Sequence, residues 1–245
     1  TICAIIIGCM FSMWTSSSTR INKALKSFCN GDRSEAITQM ESVIQEGSED
    51  PAHWNAMGFA YSEVNRHEEA VKAYEKALEL NEKYHRPGTT NTLYYRNISL
   101  NLVQSLYFLG RYERGISILH SLLAFNQKDV RAYNDLALLY NANGDFPNAM
   151  FAANSAIKIR PKFYSAHSHL GHALLKLGNL LEAERNIRKA LQLAPDYPRA
   201  HYYYALLYLE KNQGEDALRE CQAALDLDPS FQEARDLKSK LEQTG

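Results

Sequence analysis

Three histidines that could do chemistry, His167, His169 and His172, lie close together in the stretch "SAHSHLGHAL" at residues 165–174. Imidazole rings can bind a metal, act as a general base or form hydrogen bonds in a core. On a helix, His169 and His172 share one face because they are three residues apart, whereas His167 lies roughly on the opposite side. One helix therefore cannot present all three rings to one metal. The elements around the stretch decide what the rings do.

A 34-residue repeat surrounds these histidines. Segments that begin at Pro51, Val130, Tyr164 and Pro198 align in one register and follow the pattern W-x-x-L-G-x-x-Y, then A-x-x-x-F, A and P. Apolar residues recur at intervals of three, four and seven, which is the period of a helix and not of a strand. Turn sequences such as "NANGDF" and "KNQGED" divide each segment into two parts. The repeat therefore predicts paired helices.

This pattern resembles the tetratricopeptide repeat (TPR), and the resemblance extends over residues 17–243. It implies an all-α, right-handed α-solenoid of about six helix-turn-helix repeats with a C-terminal capping helix, stabilised by stacking of neighbouring repeats. The turn sequence "HRPG" in the insertion predicts a cap at Thr90 or Asn91 for a lengthened helix. The predicted segments are an apolar signal or anchor segment at 1–16, a degenerate repeat at 17–50, a repeat at 51–84, an insertion at 85–95, a degenerate repeat at 96–129, repeats at 130–163, 164–197 and 198–231, and a capping helix at 232–243.

The family resemblance also implies a binding surface, because in TPR proteins the first helices of successive repeats line a concave groove. Side-chain amides in such a groove can hold an extended peptide by its backbone. Arg131 and Arg199 add a positive edge suited to carboxylates, and Tyr202 and Tyr203 offer amphipathic contact area. The candidate peptide-binding residues are Asn97, Asn101, Gln104, Arg131, Asn134, Asp135, Asn141, Ser168, His169, His172, Arg199, Tyr202 and Tyr203.

His169 and His172 should both face this groove, with Asp135 one repeat earlier on the neighbouring helix. Packed helix axes lie roughly 8–10 Å apart, so the side chains of Asp135 and His169 can meet. We expect a histidine–aspartate hydrogen bond that raises the pKa of the histidine and makes binding sensitive to pH. The alternative is a metal held by the two histidines and the carboxylate, although the sequence indicates no fourth ligand.

Two other histidines are predicted to have a structural role. His167 and His201 occupy the place that Trp54 holds in the first clear repeat, so we expect them to pack against the paired helix. Cys221 occupies the large apolar place of its repeat and should be inert core.

The sequence contains no enzyme motif: no glycine-rich phosphate loop, no G-x-S-x-G and no H-E-x-x-H. We therefore expect a non-enzymatic protein with no cofactor and no bound metal. The 27 Lys and Arg residues balance 28 Asp and Glu residues, for a net charge of -1, so no nucleic acid partner is expected. The expected partner is a protein or peptide, and the sequence does not indicate an oligomeric state.

Heat-shock co-chaperones with these repeats hold a terminal carboxylate through five positions. At the matching places this sequence has Asn55, Phe59, Asn101, Arg131 and Asp135. Only two of the five are compatible with that role, and Asp135 would repel the carboxylate. We therefore expect no co-chaperone function of that type.

The segment at 1–16 is distinct from the repeats. Ile2 to Trp14 is almost wholly apolar, about half a membrane span or a signal-peptide core. "IIGC" at 6–9 resembles a bacterial lipoprotein signal, in which Cys9 would carry the lipid, and "TSSST" would be a short linker. The alternatives are a signal-anchor helix, a cleaved secretory signal and an amphipathic packing segment. All but the last predict translocation or membrane attachment, and we expect association with the membrane of a bacterial cell envelope, on an undetermined side.

Together these features predict a scaffold. We expect a non-enzymatic protein, tethered at a membrane, that binds a peptide or protein segment in its groove and assists assembly of a complex. An alternative is the substrate-selecting repeat region of a larger enzyme such as a glycosyltransferase. A third hypothesis is a metal-dependent activity at His169 and His172.

Overall fold

The computed structural model describes residues 16–84 and 92–244, and these residues form thirteen α-helices and no strand. The helices are α1 Ser16–Cys29, α2 Arg33–Gln45, α3 Pro51–Glu63, α4 His67–Tyr84, α5 Thr92–Phe108, α6 Tyr112–Phe125, α7 Val130–Ala142, α8 Phe146–Ile159, α9 Tyr164–Lys176, α10 Leu180–Leu193, α11 Pro198–Glu210, α12 Gly214–Leu227 and α13 Gln232–Thr244. The chain divides into an N-terminal unit, Thr1–Ile118, and a C-terminal unit, Leu119–Gly245. In both units the described residues form helices only, and these follow one another as helix pairs.

Six helix hairpins make up most of this fold, and the turn of each contains a residue with positive φ. These residues are Gly31, Asn65, Gly110, Gly144, Gly178 and Asn212. The first two are 34 residues apart, and so are successive members of the last four. Glycine and asparagine adopt this left-handed conformation at low cost, which ends the first helix of a pair and turns the chain into the second.

In the N-terminal unit, α1 packs against α2 and α3 against α4, and α2 and α4 contact the helices that follow them. Large apolar side chains such as Ile21, Phe28 and Met57 fill the core between α1, α2 and α3. Because α1 begins at Ser16, the serine and threonine residues at 16–19 are helical, and the prediction that they form a linker is wrong. Residues 1–15, which include Cys9, lie outside the described residues.

The predicted insertion at 85–95 is only partly described. The α4 helix extends to Tyr84 and α5 begins at Thr92, so residues 92–95 belong to a helix of 17 residues. The "HRPG" turn and the candidate caps Thr90 and Asn91 lie outside the described residues. No helix within 16–84 or 92–244 has the length and apolar character needed to cross a membrane.

In the C-terminal unit, α7 packs against α8, α9 against α10 and α11 against α12, and each pair contacts the next. The first helices also contact one another, α7 with α9 and α9 with α11. The final helix, α13, places Leu237 and Leu241 over a cluster that contains Ala205 and Cys221. Cys221 is fully buried, as predicted, and burial raises the pKa of its thiol to about 11.

The two helices of a pair approach closely where a small residue faces a larger one. A Cβ atom on Gly58 would lie 2.6 Å from a ring carbon of Tyr74, and one on Gly171 would lie 2.5 Å from Cγ1 of Ile187. In the last repeat, Ala205 stands at the same place and clusters with Cys221, which is smaller than tyrosine or isoleucine. The small position and its partner therefore vary together, which keeps the paired helices tightly packed.

Candidate peptide-binding face

The structure places the predicted binding residues on both units. Asn97, Asn101 and Gln104 lie on α5 in the N-terminal unit, where Gln104 is exposed and the two asparagines are half-buried. The remaining ten residues lie on α7, α9 and α11 of the C-terminal unit. Because these three helices pack in succession, we call the surface that carries the ten residues the α7–α9–α11 face.

His169 is a buried part of this face, not an exposed one. Only 1% of the residue is exposed, and its Nε2 lies 3.3 Å from Ser165 Oγ, which in turn lies 3.2 Å from Tyr197 Oη. Burial lowers the pKa of His169 well below its ordinary value, and the charges of Arg199 and His172 lower it further. The prediction that Asp135 raises the pKa of His169 is therefore wrong, because burial and nearby cations dominate.

His172 lies against an aromatic ring from the next repeat. Its imidazole stacks on Tyr203 with ring centres 4.3 Å apart and an angle of 10° between the planes, and Phe146 contacts it edge-on at 6.1 Å. Burial, aided by the charges of Lys176 and Arg199, lowers the pKa of His172 to about 3. At neutral pH the ring is therefore uncharged, and it helps to join α9 to α11.

Several polar side chains of the face also connect its helices. Asn141 Nδ2 donates a hydrogen bond to His169 O at 3.0 Å, which ties α7 to α9, and Asn134 Nδ2 donates to Asp135 Oδ1 at 3.1 Å. Among the described residues, five buried polar atoms of the face have no hydrogen-bond partner: Asn134 Oδ1, Asn141 Oδ1, Ser168 Oγ, His169 Nδ1 and His172 Nδ1. Buried polar atoms are normally paired, so the layer beneath this face contains hydrogen-bonding groups that its own side chains leave unsatisfied.

The repeat register predicted that all of these residues form one exposed surface, but the structure divides them into two layers. Asn134, Asn141, Ser168, His169 and Tyr203 are buried by neighbouring helices. The residues that remain accessible are Arg131, Asp135, His172, Arg199 and Tyr202. The buried residues support the accessible ones, because a helix that lies between two others buries most of its lateral surface against them.

The two arginines of the accessible layer lie near the start of their helices. Arg131 follows Asp129, whose side chain accepts hydrogen bonds from the backbone N–H groups of Arg131 and Ala132 at 3.1 and 3.2 Å and so fixes the start of α7. Arg199 lies over the ring of Phe231 at 5.2 Å, with its Nη1 4.0 Å from Glu233 Oε1. The face therefore has a cation near each end.

On the other side of α9 and α11, His167 and His201 pack against the paired helix, as predicted. Each ring also forms a hydrogen bond that the sequence did not predict. His167 Nε2 lies 2.9 Å from Pro161 O, and His201 Nε2 lies 2.9 Å from Pro195 O. The indole of Trp54 donates in the same way to Ser48 O at 2.9 Å. In each case the ring bonds the carbonyl six residues earlier, in the preceding turn, so histidine replaces tryptophan because both rings offer an N–H group.

His53 forms a second buried polar cluster, which the sequence analysis missed. Its Nδ1 lies 2.7 Å from Ser48 Oγ and its Nε2 lies 3.1 Å from Ser18 Oγ and 3.5 Å from Asp50 Oδ2. Asp50 also caps α3 by accepting from Ala52 N at 2.8 Å. The arrangement places a serine hydroxyl beside each ring nitrogen, with the Asp50 carboxylate farther from Nε2 than Ser18 is. It connects α1 to the turn before α3.

A cleft of about 400 Å³ lies between α2, α3 and α4 in the N-terminal unit. Its lining residues are Glu41, Ile44, Gln45, Trp54, Met57, Tyr61, Glu69, Lys72 and Ala73. Ala73 holds the repeat position that Asn186 and Glu220 occupy in later repeats, and its small side chain leaves space beside Trp54. In the sequence, the small residue Ala73 is the only feature that indicates this cleft.

The residues described by the structure do not assemble a metal site. Within 16–84 and 92–244, no three His, Cys, Asp or Glu side chains form a group that could hold a metal ion. The alternative prediction of a metal at His169, His172 and Asp135 therefore has no geometric support.

Comparisons with known proteins identify the repeats. A family model described as Tetratricopeptide repeat matches residues 100–162 and 169–230, and a second model with that description matches residues 51–84. The Heat shock protein STI1 of Saccharomyces cerevisiae is 39% identical over 61 residues, which are 25% of this chain and 10% of that protein. The chain thus spans about a tenth of the length of the curated relatives it matches.

Two solved structures have a similar fold. A tetratricopeptide repeat protein from Parabacteroides merdae matches with a TM-score of 0.77 and 15% identity over 92% of this chain and 84% of that one. A thermophilic TPR protein of Thermus thermophilus matches with a TM-score of 0.65 and 20% identity over 79% of this chain and 99% of that one. A fold of this type supports a protein–protein interaction scaffold. The family matches extend over more than half of the chain, which therefore belongs to the tetratricopeptide repeat family.

Proposed function

We propose that this protein is a non-enzymatic scaffold that binds an extended segment of a protein partner across the α7–α9–α11 face. The observation that carries the proposal is the accessible layer of this face, in which Arg131, Asp135, His172, Arg199 and Tyr202 lie on three successive first helices. An extended backbone offers N–H and C=O groups at regular intervals, and these side chains supply both donors and acceptors. A segment laid across the face would contact all three helices.

The two arginines of the face favour a carboxylate on the bound segment, whereas Asp135 on the same face would repel one placed beside it. Arg131 is exposed and Arg199 is half-buried, so both guanidinium groups are within reach of a bound segment. Arginine can bind a carboxylate through two parallel hydrogen bonds. Burial is the main cause of the low pKa of His172, and the charges of Lys176 and Arg199, which lower it further, also favour negative charge nearby.

The proposed function has a second part, which is attachment to a membrane through residues 1–16. The support is their composition, since Ile2 to Trp14 is almost wholly apolar and contains Cys9 in "IIGC". Expression of the full chain in a bacterial host, followed by separation of membranes from soluble protein, tests this part. Recovery in the soluble fraction after both mild and high-salt extraction would contradict it.

The binding proposal is tested by selecting extended peptides from a random library on the full chain and measuring their Kd. The double variant Arg131→Ala/Tyr202→Ala should weaken binding at least about ten-fold, because truncation of an interface arginine or tyrosine commonly costs more than 1 kcal/mol. The matched control is Arg185→Ala/Lys189→Ala, which changes two exposed residues on α10.

The control variant should leave the affinity unchanged. Equal weakening in both variants, or none in either, would mean that peptides bind elsewhere. Amide chemical-shift changes on peptide addition should be largest on α7, α9 and α11, and changes confined to other helices would contradict the proposal independently of affinity.

A further inference from the structure

The imidazole of His201 joins three parts of the last complete repeat. Its Nδ1 lies 2.7 Å from Glu220 Oε2 on α12, and its Nε2 lies 2.9 Å from Pro195 O in the turn between α10 and α11. The side chains of His201 and Glu220 are only 17% and 23% exposed, so water competes weakly for these bonds. The ring itself is on α11.

Both groups that face the ring are hydrogen-bond acceptors. A backbone carbonyl and an ionised carboxylate have no proton to donate, so both ring nitrogens of His201 must carry one for the two bonds to exist together. A ring that is protonated on both nitrogens is an imidazolium, and the 2.7 Å distance to Glu220 is typical of a charge-assisted hydrogen bond. We propose that His201 is a protonation-dependent latch that fastens α11 to the preceding turn and to α12.

The previous repeat lacks the charged partner. His167 bonds Pro161 O at 2.9 Å, but its Nδ1 lies 3.1 Å from the amide oxygen of Asn186, whose NH2 group donates to Glu182 O. Asn186 and Glu220 hold the same repeat position. The amide is neutral, so the proton on Nδ1 gains no ion pair in that repeat, and the latch depends on Glu220.

Charged groups on the other elements around α11 have partners of their own. The α10 and α9 helices also pack against α11. Arg188 Nε of α10 donates to Tyr204 Oη at 2.8 Å, Glu184 pairs with Lys211, and His169 and His172 of α9 contact Tyr203. The carboxylate that faces the His201 ring therefore comes from α12.

The electrostatics of the site agree with this geometry. The hydrogen bond to Glu220 raises the pKa of His201, the bond to Pro195 O adds to this, and burial opposes it. Because the folded pKa lies above the unfolded one, the latch contributes its full stability below the unfolded value of about 6.5. That contribution is lost as pH rises through the folded pKa.

The direct test is the nitrogen-15 NMR spectrum of the imidazole rings of the full chain, followed as a function of pH. Both nitrogens of His201 should show the protonated form at a pH where a free imidazole has lost its second proton. In Glu220→Gln the titration midpoint of His201 should fall. In the matched control Glu215→Gln, which removes an exposed carboxylate from the same helix, it should not change.

A second measurement avoids dependence on one variant. The urea midpoint of the wild type should fall as pH rises through the His201 titration, and His201→Trp should remove this dependence, because the Trp54 repeat shows that an indole keeps the carbonyl bond but cannot titrate. An unchanged His201 midpoint in Glu220→Gln, or the same pH dependence of unfolding in His201→Trp as in the wild type, would overturn the latch.

Discussion

The two sides of α9 and α11 use histidine in opposite ways. On the side that faces neighbouring first helices, the rings of His169 and His172 lie against Tyr203, and loss of water around them lowers the pKa of both. On the side that faces the second helices, His201 contacts a carbonyl and a carboxylate, and its pKa is raised. The same side chain is a neutral aromatic surface in one place and a charged donor in the other.

This difference follows from what each side packs against. First helices contact one another through rings and small residues, so an imidazole there loses water without gaining a countercharge. The opposite side lies beside a turn, where backbone carbonyls lack helical partners and can accept a bond from the ring. The environment, and not the residue type, therefore sets the charge.

The largest expected effect comes from acid. The pKa of His172 is about 3, below the unfolded value of 6.5, so its contribution to stability is present above pH 6.5 and is lost as pH falls toward 3. The loss from this residue is on the order of 4 kcal/mol. Urea unfolding between pH 7 and pH 4 measures it, and His172→Phe should flatten the acid limb. An acid limb of unchanged slope in the variant would show that His172 does not titrate in this way.

A smaller effect is expected where α9 meets α10. Gly171→Ala places a Cβ 2.5 Å from Ile187 Cγ1, and overpacking of this kind costs about 1–3 kcal/mol. The matched change one repeat later is Ala205→Gly, which has no clash and should cost about 1 kcal/mol in helix propensity together with about 0.8 kcal/mol for the lost buried methyl group. Thermal unfolding of both variants checks the order. A smaller loss for Gly171→Ala than for Ala205→Gly would mean that Ile187 moves aside.

The smallest expected changes in the free energy of unfolding distinguish the two sides of α9 directly. His167→Phe removes both ring hydrogen bonds and leaves Pro161 O without its partner, so it should cost about 1–2 kcal/mol. His172→Phe keeps the stacking on Tyr203 and removes the unpartnered Nδ1, so at pH 7 it should change stability by less than about 0.5 kcal/mol or increase it. Equal losses in the two variants, measured by urea unfolding, would remove the distinction.

Much of the fold could be predicted because its determinants are local. The turn residues with positive φ, the small residues at Gly58 and Gly171, and the apolar period all depend on neighbours within one repeat. The family match confirmed the repeat type that these residues indicated. The helical state of residues 16–19 was predicted incorrectly, because serine and threonine favour turns and caps only when packing does not decide the conformation.

The candidate site was less predictable because its properties depend on residues from other repeats. Register placed His169 and Asp135 on adjacent first helices, but it did not indicate that Asn141 would bond the backbone of His169 or that Arg199 would oppose its protonation. The cleft beside Trp54, which the sequence did not predict, depends on the single small residue Ala73. The sequence of one repeat does not show which of its residues a helix from another repeat will bury.

The bond from a ring N–H to the carbonyl six residues earlier has a consequence for comparing the repeats of this chain. Hydropathy scales treat a tryptophan-to-histidine exchange as a drastic change, yet Trp54, His167 and His201 form the same bond to the preceding turn. A side-chain N–H group that reaches this carbonyl therefore identifies equivalent positions in repeats whose side chains differ in size and apolarity.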